Sequence, residues 1–210
     1  MEKPNLFGFS NSRIVSRIYF FGFLGFLSLL GSQCRNKEDT AKDEQKKAIQ
    51  ELVRDEEAVL EVTTLARRIA GAIKNKALIG PDSRALFADE VDLIDLSASE
   101  PLGKVVISSH GISKTKWPVG ENKRLTIGEA EKTGVWSDIL GSFKEVTHAS
   151  FGFVSGKSDD GKLLKSVLKF GAKGVDKNNS QVSLKGKVAV DWVKSGDSWK
   201  IKNWHTKSMT

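Results

Sequence analysis

The chain has 210 residues, 39% of them hydrophobic, and carries 33 Lys and Arg against 26 Asp and Glu, a formal net charge of +7. A single cysteine, Cys34, excludes an internal disulfide, and three scattered histidines leave no spacing suited to a metal. The length leaves room for one folded domain behind a targeting segment.

At the N-terminus Lys3, Arg13 and Arg17 precede an uncharged run from Ile18 to Leu30, rich in Ile, Phe, Leu and Gly and interrupted by Tyr19 and Ser28. That run is shorter than the ~20 apolar residues a spanning helix needs, and it suits the apolar core of a secretory signal. Gly31 and Ser32 supply the small residues of a cleavage site. The stretch Leu30, Gly31, Ser32, Gln33, Cys34 resembles the bacterial lipoprotein signal, whose cysteine becomes the lipidated first residue of the mature chain. Gln33 departs from the Gly or Ala of that pattern, and Leu30 stands one place further from the cysteine. The resemblance implies a signal peptide over 1–33, a lipid on Cys34 and export to the cell envelope, with the membrane as partner. A conventional cut near Ser32 and an uncleaved anchor reaching back to Leu6 are the other readings of the same residues. Loss of 1–33 removes Lys3, Arg13, Arg17 and Glu2, so the net charge falls from +7 to +5.

Residues 34–47 lack large apolar side chains and balance their charges, which predicts a flexible tether. A folded domain over 48–210 follows. Ile49, Leu52, Val53, Val59, Leu60, Leu65, Ile69 and Ile73 recur at helical spacing, with Thr63 and Thr64 as a break. Gly80 and Pro81 mark a turn before a short helix through Ala85, Leu86 and Phe87. Val105, Val106 and Ile107 make a short strand, and Ser113 to Lys123 reads as loop. Ile127, Val135, Trp136, Ile139, Leu140 and Phe143 line a short helix ahead of a strand ending at Phe153. Then Leu164, Leu168, Phe170 and Ala172 alternate with lysines, as do Val182, Leu184, Val188, Val190 and Trp192 with polar residues. Period two with one wet face is the pattern of antiparallel strands covered on one side. Hairpin turns fall at 159–162, 176–180 and 195–197, where Gly, Asn and Asp gather. In the last strand period two puts Trp199, Ile201, Asn203 and His205 on one face, and Lys200, Lys202 and Trp204 on the other.

Helices first and strands after predict an α+β fold, with N-terminal helices packed on a curved antiparallel sheet. The segments SRALFADEV, VWSDIL with HASFGFV, and VAVDWVKSGDSWKIKNW resemble the nuclear transport factor 2-like, or SnoaL-like, superfamily over about residues 45–207. The last two are also similar to the small domain that precedes FG-GAP and ASPIC/UnbV regions in some exported bacterial proteins. The resemblance implies a cone-like domain, a small apolar ligand or a protein as partner, and homodimers formed through the sheet.

Enzymes of that superfamily, isomerases and dehydratases, use a carboxylate or His base inside the cone with a Tyr or second acid as its helper. The one tyrosine here, Tyr19, falls in the leader. His205, on the parity of Trp199, is the better base candidate; His148 shares a strand with Phe151 and Phe153 but has the opposite parity. The favoured reading is a non-catalytic binding domain with Trp199 and His205 at the ligand; the rival is an enzyme with His205 or His148 as base. Trp192 and Trp199 are expected in the core, and Trp117 and Trp204 at the surface. No metal, cofactor or nucleic acid is expected, and the lysines of the last third read first as the solvated face of the strands, second as an anionic-lipid or nucleic-acid patch.

Overall fold

The computed structural model describes residues 35–97, 104–109 and 112–210, with side-chain surroundings for 42–97 and 113–210. The expected signal peptide, Tyr19 and Cys34 lie outside the described residues. The chain divides into two compact units, one ending at Ala41 and one from Lys42 to Thr210. Of the first, only the opening turns of a helix are described.

That helix, α1 (Arg35–Lys74), runs without a break through Thr63, whose Oγ1 donates to the Val59 carbonyl at 2.7 Å. Residues 35–47, expected as a tether, are helical. Their Ala, Lys, Glu and Gln are good helix formers, and Asp43 stands four places before Lys47, the favourable order for a charge pair. The buried stripe of α1 is Ala58, Val62, Ala66, Ile69, Ala70 and Ile73. Ile49, Leu52, Val53 and Leu60, expected on that stripe, are exposed. The contact face combines alanines at 58, 66 and 70 with Val62, Ile69 and Ile73, which are fully buried.

A turn held by buried Ser83, whose Oγ donates to the Leu78 carbonyl at 2.7 Å, leads into a 3-10 turn at Arg84–Leu86. The strands are β1 (Phe87–Leu96), β2 (Lys104–Ser109), β3 (Ile112–Lys116) and β4 (Val119–Thr126). Two short helices follow, α2 (Ile127–Thr133) and α3 (Ser137–Gly141). The long strands β5 (Phe143–Asp159), β6 (Leu163–Asp176), β7 (Gln181–Ser195) and β8 (Ser198–Met209) complete the chain. The segment expected as loop over 113–123 thus contributes strands. β4 is an exposed edge strand, so it never needed the apolar alternation that would have revealed it.

The fold is α+β, helices against a curved six-stranded sheet of order β4-β1-β8-β7-β6-β5, beside a two-stranded β2-β3 hairpin. Neighbours in the large sheet are antiparallel except β1 and β8, which are parallel, so the sheet is mixed rather than wholly antiparallel. Residues 97–197 separate β1 from β8, ample length for the crossover a parallel pair needs. The three turns at 159–162, 176–180 and 195–197 fall where the sequence placed them.

Irregularities in pairing set the curvature and decide which side chains face α1. Along β7, Asp191 pairs with Asn203 but Trp192 pairs with Ile201, so Lys202 is an extra residue. Such a bulge reverses the parity beyond it. Trp199 and Ile201 face α1, and after Lys202 so do Trp204 and Thr206, while Asn203 and His205 turn to the opposite face. Trp204, expected at the surface, is fully buried. Gly174 and Gly186 permit two close approaches: a Cβ at Gly174 would lie 2.0 Å from the Glu145 carbonyl oxygen, and at Gly186 2.6 Å from that of Ser208.

The core under α1 holds Phe87, Trp136, Phe170, Trp192 and Trp204, with Trp136 ring centroids 5.0 Å from Phe170 and 5.5 Å from Trp204. Glu61 of α1 accepts from the indole Nε1 of Trp199 and pairs with Lys194 at 3.1 Å. These two contacts, the indole first, hold its carboxyl below the usual range. Asp55 accepts from the Ser158 backbone N–H at 2.7 Å, fixing the helix at a second point.

Among the described residues the core cluster lies within 42–210, a compact unit, so a chain of those residues is expected to fold by itself. Its urea transition, followed by tryptophan fluorescence and far-ultraviolet circular dichroism together, should be a single step; two separated transitions would refute this. In the same assay Trp204→Ala is expected to cost about 3–5 kcal/mol, as for a large buried aromatic. A loss under about 0.5 kcal/mol would return Trp204 to the surface.

Candidate functional site

A cavity of about 560 Å³ opens between β1, β4 and the α2–α3 turn. Its floor is apolar: Leu93, Val135, Trp136 and Ile139 are buried there, and Trp117, Val119 and Leu125 form the sides. Its rim is charged, with exposed Glu121, Lys123 and Asp138. Asp95 stands between the two.

Local sequence explains the cavity's position. Thr126 and Glu129 form a reciprocal cap at the start of α2, with Glu129 Oε2 accepting from the Thr126 backbone N–H at 2.9 Å. Gly134, left-handed at φ 69°, ends that helix. Between β1 and β4 the register shifts after Ile94, which pairs with Asn122, while Leu96 pairs with Val119. Gly120 sits in this bulge, where a Cβ would lie 3.3 Å from the carbonyl oxygens of Asp95 and Leu96. Bulges re-aim side chains in this way beside binding sites.

Asp95 Oδ1 accepts from the backbone N–H of Leu96 at 2.7 Å and of Trp136 at 3.2 Å. Burial nevertheless pushes its carboxyl above the ordinary range; the two N–H groups oppose that shift, Asp138 adds to it and Lys123 reduces it. Trp136 itself is left-handed at φ 61°, unusual for a bulky side chain. The strain is held at both ends, by the N–H bond to Asp95 and by the indole Nε1 donating to Thr206 Oγ1 at 3.0 Å.

None of the residues expected at a ligand lines this cavity. Trp199 is buried against α1, and His205 lies on the far face of the sheet, separated from Trp199's face by the bulge at Lys202. Burial first, and then Lys207, depress the His205 imidazole, against Asp191 and Asp92. Its Nε2 is buried without a hydrogen-bond partner among the described residues. His148 is exposed on that same far face, opposite Lys173. The two histidines therefore do not converge, and neither stands inside the cone. Among the described residues no cluster of His, Cys, Asp and Glu is placed to hold a metal. Asp95 went unnoticed in the sequence because it sits in an unremarkable VDLIDL strand; a carboxylate with the inward parity of Val91 and Leu93 was the available signal.

No protein-family model and no curated protein matches the chain. Similar solved structures include a protein from Kribbella flavida, at 14% identity and TM-score 0.49, covering 73% of this chain and 91% of that one. A nuclear transport factor 2-like superfamily protein from Salmonella enterica serovar Typhimurium is similar at 13% identity and TM-score 0.47, covering 72% and 91%. A conserved protein from Planctomyces limnophilus is similar at 11% identity and TM-score 0.45, covering 70% and 91%.

Because its carboxyl is raised, Asp95 binds a proton more tightly in the folded chain than in the unfolded one, where it titrates near ~3.9. Folding is therefore favoured as pH falls through the raised range toward that value. Asp95→Asn keeps an oxygen for both N–H groups, so it should melt higher than the parent at neutral pH, with the gap closing near pH ~4. Thermal melts across pH check this, and a gap that widens on acidification would contradict it.

Proposed function

We propose that the chain is an exported lipoprotein, anchored through Cys34, whose nuclear transport factor 2-like domain is a non-catalytic receptor for a small ligand. The ligand has an apolar body and an amino or hydroxyl head. The observation that carries this reading is the Asp95 carboxyl in the wall of a cavity with an apolar floor and a polar rim, edged by Trp117. At about 560 Å³ the cavity lies within the roughly 300–1,000 Å³ usual for small-molecule sites, its apolar floor set under a polar rim. An amine reaching Asp95 meets a carboxylate whose burial is already a cost, and ion pairing offsets that cost. The lipoprotein half of the proposal rests on the Ile18–Leu30 run and on the residues from Leu30 to Cys34.

A second reading makes Asp95 the base of an isomerase or dehydratase-like enzyme in place of either histidine. A carboxyl raised by burial inside a cavity favours it, since a base works best with a pKa near the working pH. Exchange of α-protons of a cavity-bound ketone with deuterium, abolished in Asp95→Asn, would establish this reading over the first.

The receptor reading is tested by titrating naphthalene-sized amines, and the matching alcohols and carboxylic acids, against tryptophan fluorescence and heat. Amines should bind best and acids worst, and Asp95→Asn should remove the amine preference at least tenfold, a change of 1.4 kcal/mol. Equal binding of acid and amine would sink it. For the anchor, the intact mass of membrane-extracted protein should begin at Cys34 with acyl mass added, and Cys34→Ala should release the chain. An unacylated start elsewhere with unchanged partitioning would refute anchoring and leave the receptor reading standing.

A further inference from the structure

The face of the sheet turned away from α1 carries a lattice of lysines. Lys169 of β6 stands directly opposite Lys187 of β7, and Lys157 of β5 opposite Lys165 of β6. Lys185 is two residues from Lys187 on the same face, and Lys173 four from Lys169. All six are exposed, and among the described residues none is in an ion pair.

Like charges directly opposite across antiparallel strands destabilise a sheet. Between the row of His148, Lys173 and Ser183 and the row of Gly152, Lys169, Lys187 and Ser208, this face holds no Asp or Glu. Asp191 stands directly opposite Lys165, so the Lys157–Lys165 end is partly compensated, and the rows from Lys173 to Lys187 form a positive field on a gently curved surface.

We propose that this face docks against an anionic phospholipid surface. The occupant follows from charge and shape. A second copy stacked here would bring lysine against lysine. Bound single strands rely on aromatic platforms for their bases, and Trp136, Trp192, Trp199 and Trp204 all lie buried beneath α1 instead. A duplex is read by an element that enters a groove, which a broad sheet face does not supply. Fluid headgroups need neither: they rearrange under spaced ammonium groups, each of which raises partitioning several-fold near an anionic leaflet.

The inference goes beyond the anchored-receptor reading and is tested apart from it. Residues 42–210, which carry their own core and lack Cys34, are sedimented with vesicles of phosphatidylcholine alone or with roughly one third phosphatidylglycerol. Binding is expected only to the anionic vesicles and should vanish near ~0.5 M salt, where screening is short-ranged. Replacing Lys169, Lys173, Lys185 and Lys187 with Gln should lower partitioning at least about a hundredfold. The same variant should melt no lower than the parent, because the opposed lysines are relieved. A control with Lys46, Lys47, Lys74 and Lys76 changed to Gln has the same net charge and should keep most of the binding. Equal losses in the two variants would reduce the effect to net charge and overturn the proposal. So would absence of binding to anionic vesicles, or displacement from them by a short oligonucleotide that binds the same lysines more tightly.

Discussion

Trp136 is the point on which core and cavity both depend. Its left-handed backbone turns the chain between α2 and α3, its N–H meets Asp95 at the cavity wall, and its indole crosses the core to Thr206. A β-branched or aromatic residue does not adopt φ near +60° unless its surroundings fix it. Here the surroundings are Phe170 and Trp204 on one side and the Asp95 carboxyl on the other. Anything that alters the charge on Asp95 acts on a side chain that is also a wall of the core, so occupancy of the cavity and stability of the domain are linked through one residue.

The sheet supplies the frame for that residue by bending. Bulges at Lys202 and Lys207 on β8, and the close approaches at Gly174 and Gly186, let long strands curl over α1. The curl creates an inner face crowded with aromatics and an outer face spaced with lysines. α1 is seated on the inner one through Val62, Ile69, Ile73 and the alanines between them, with Glu61 and Asp55 among its polar fixings. Those fixings are specific rather than strong: Glu61 is half exposed, and water competes for both of its partners.

Much of this architecture could be read from residue order. The alternation in β6 and β7 and the Gly, Asn and Asp of their turns were legible because a half-buried strand must repeat every second residue. The apolar spacing around Trp136 suggested one short helix, and the structure has two, α2 and α3, with left-handed Trp136 between them. What escaped had physical reasons. β4 is an exposed edge and shows no apolar alternation. On the contact face of α1, Ile69 and Ile73 were legible, while Val62 and the alanines beside them were not. His205 was placed with Trp199 by counting in twos, and one extra residue at Lys202 made the count fail. The cavity was invisible because it is assembled from β1, β4 and the α2–α3 turn, whose meeting no local pattern announces.

The outermost strand has a further consequence. β5 pairs with β6 on one side only, and it carries three extra residues, Lys144, Thr147 and Val154, each of which breaks the register. A growing fibril recruits strands by offering an evenly spaced ladder of donors and acceptors, and a ladder interrupted three times cannot be copied by an identical chain. The irregularity that curls the sheet therefore also makes its β5 edge a poor template for an identical chain.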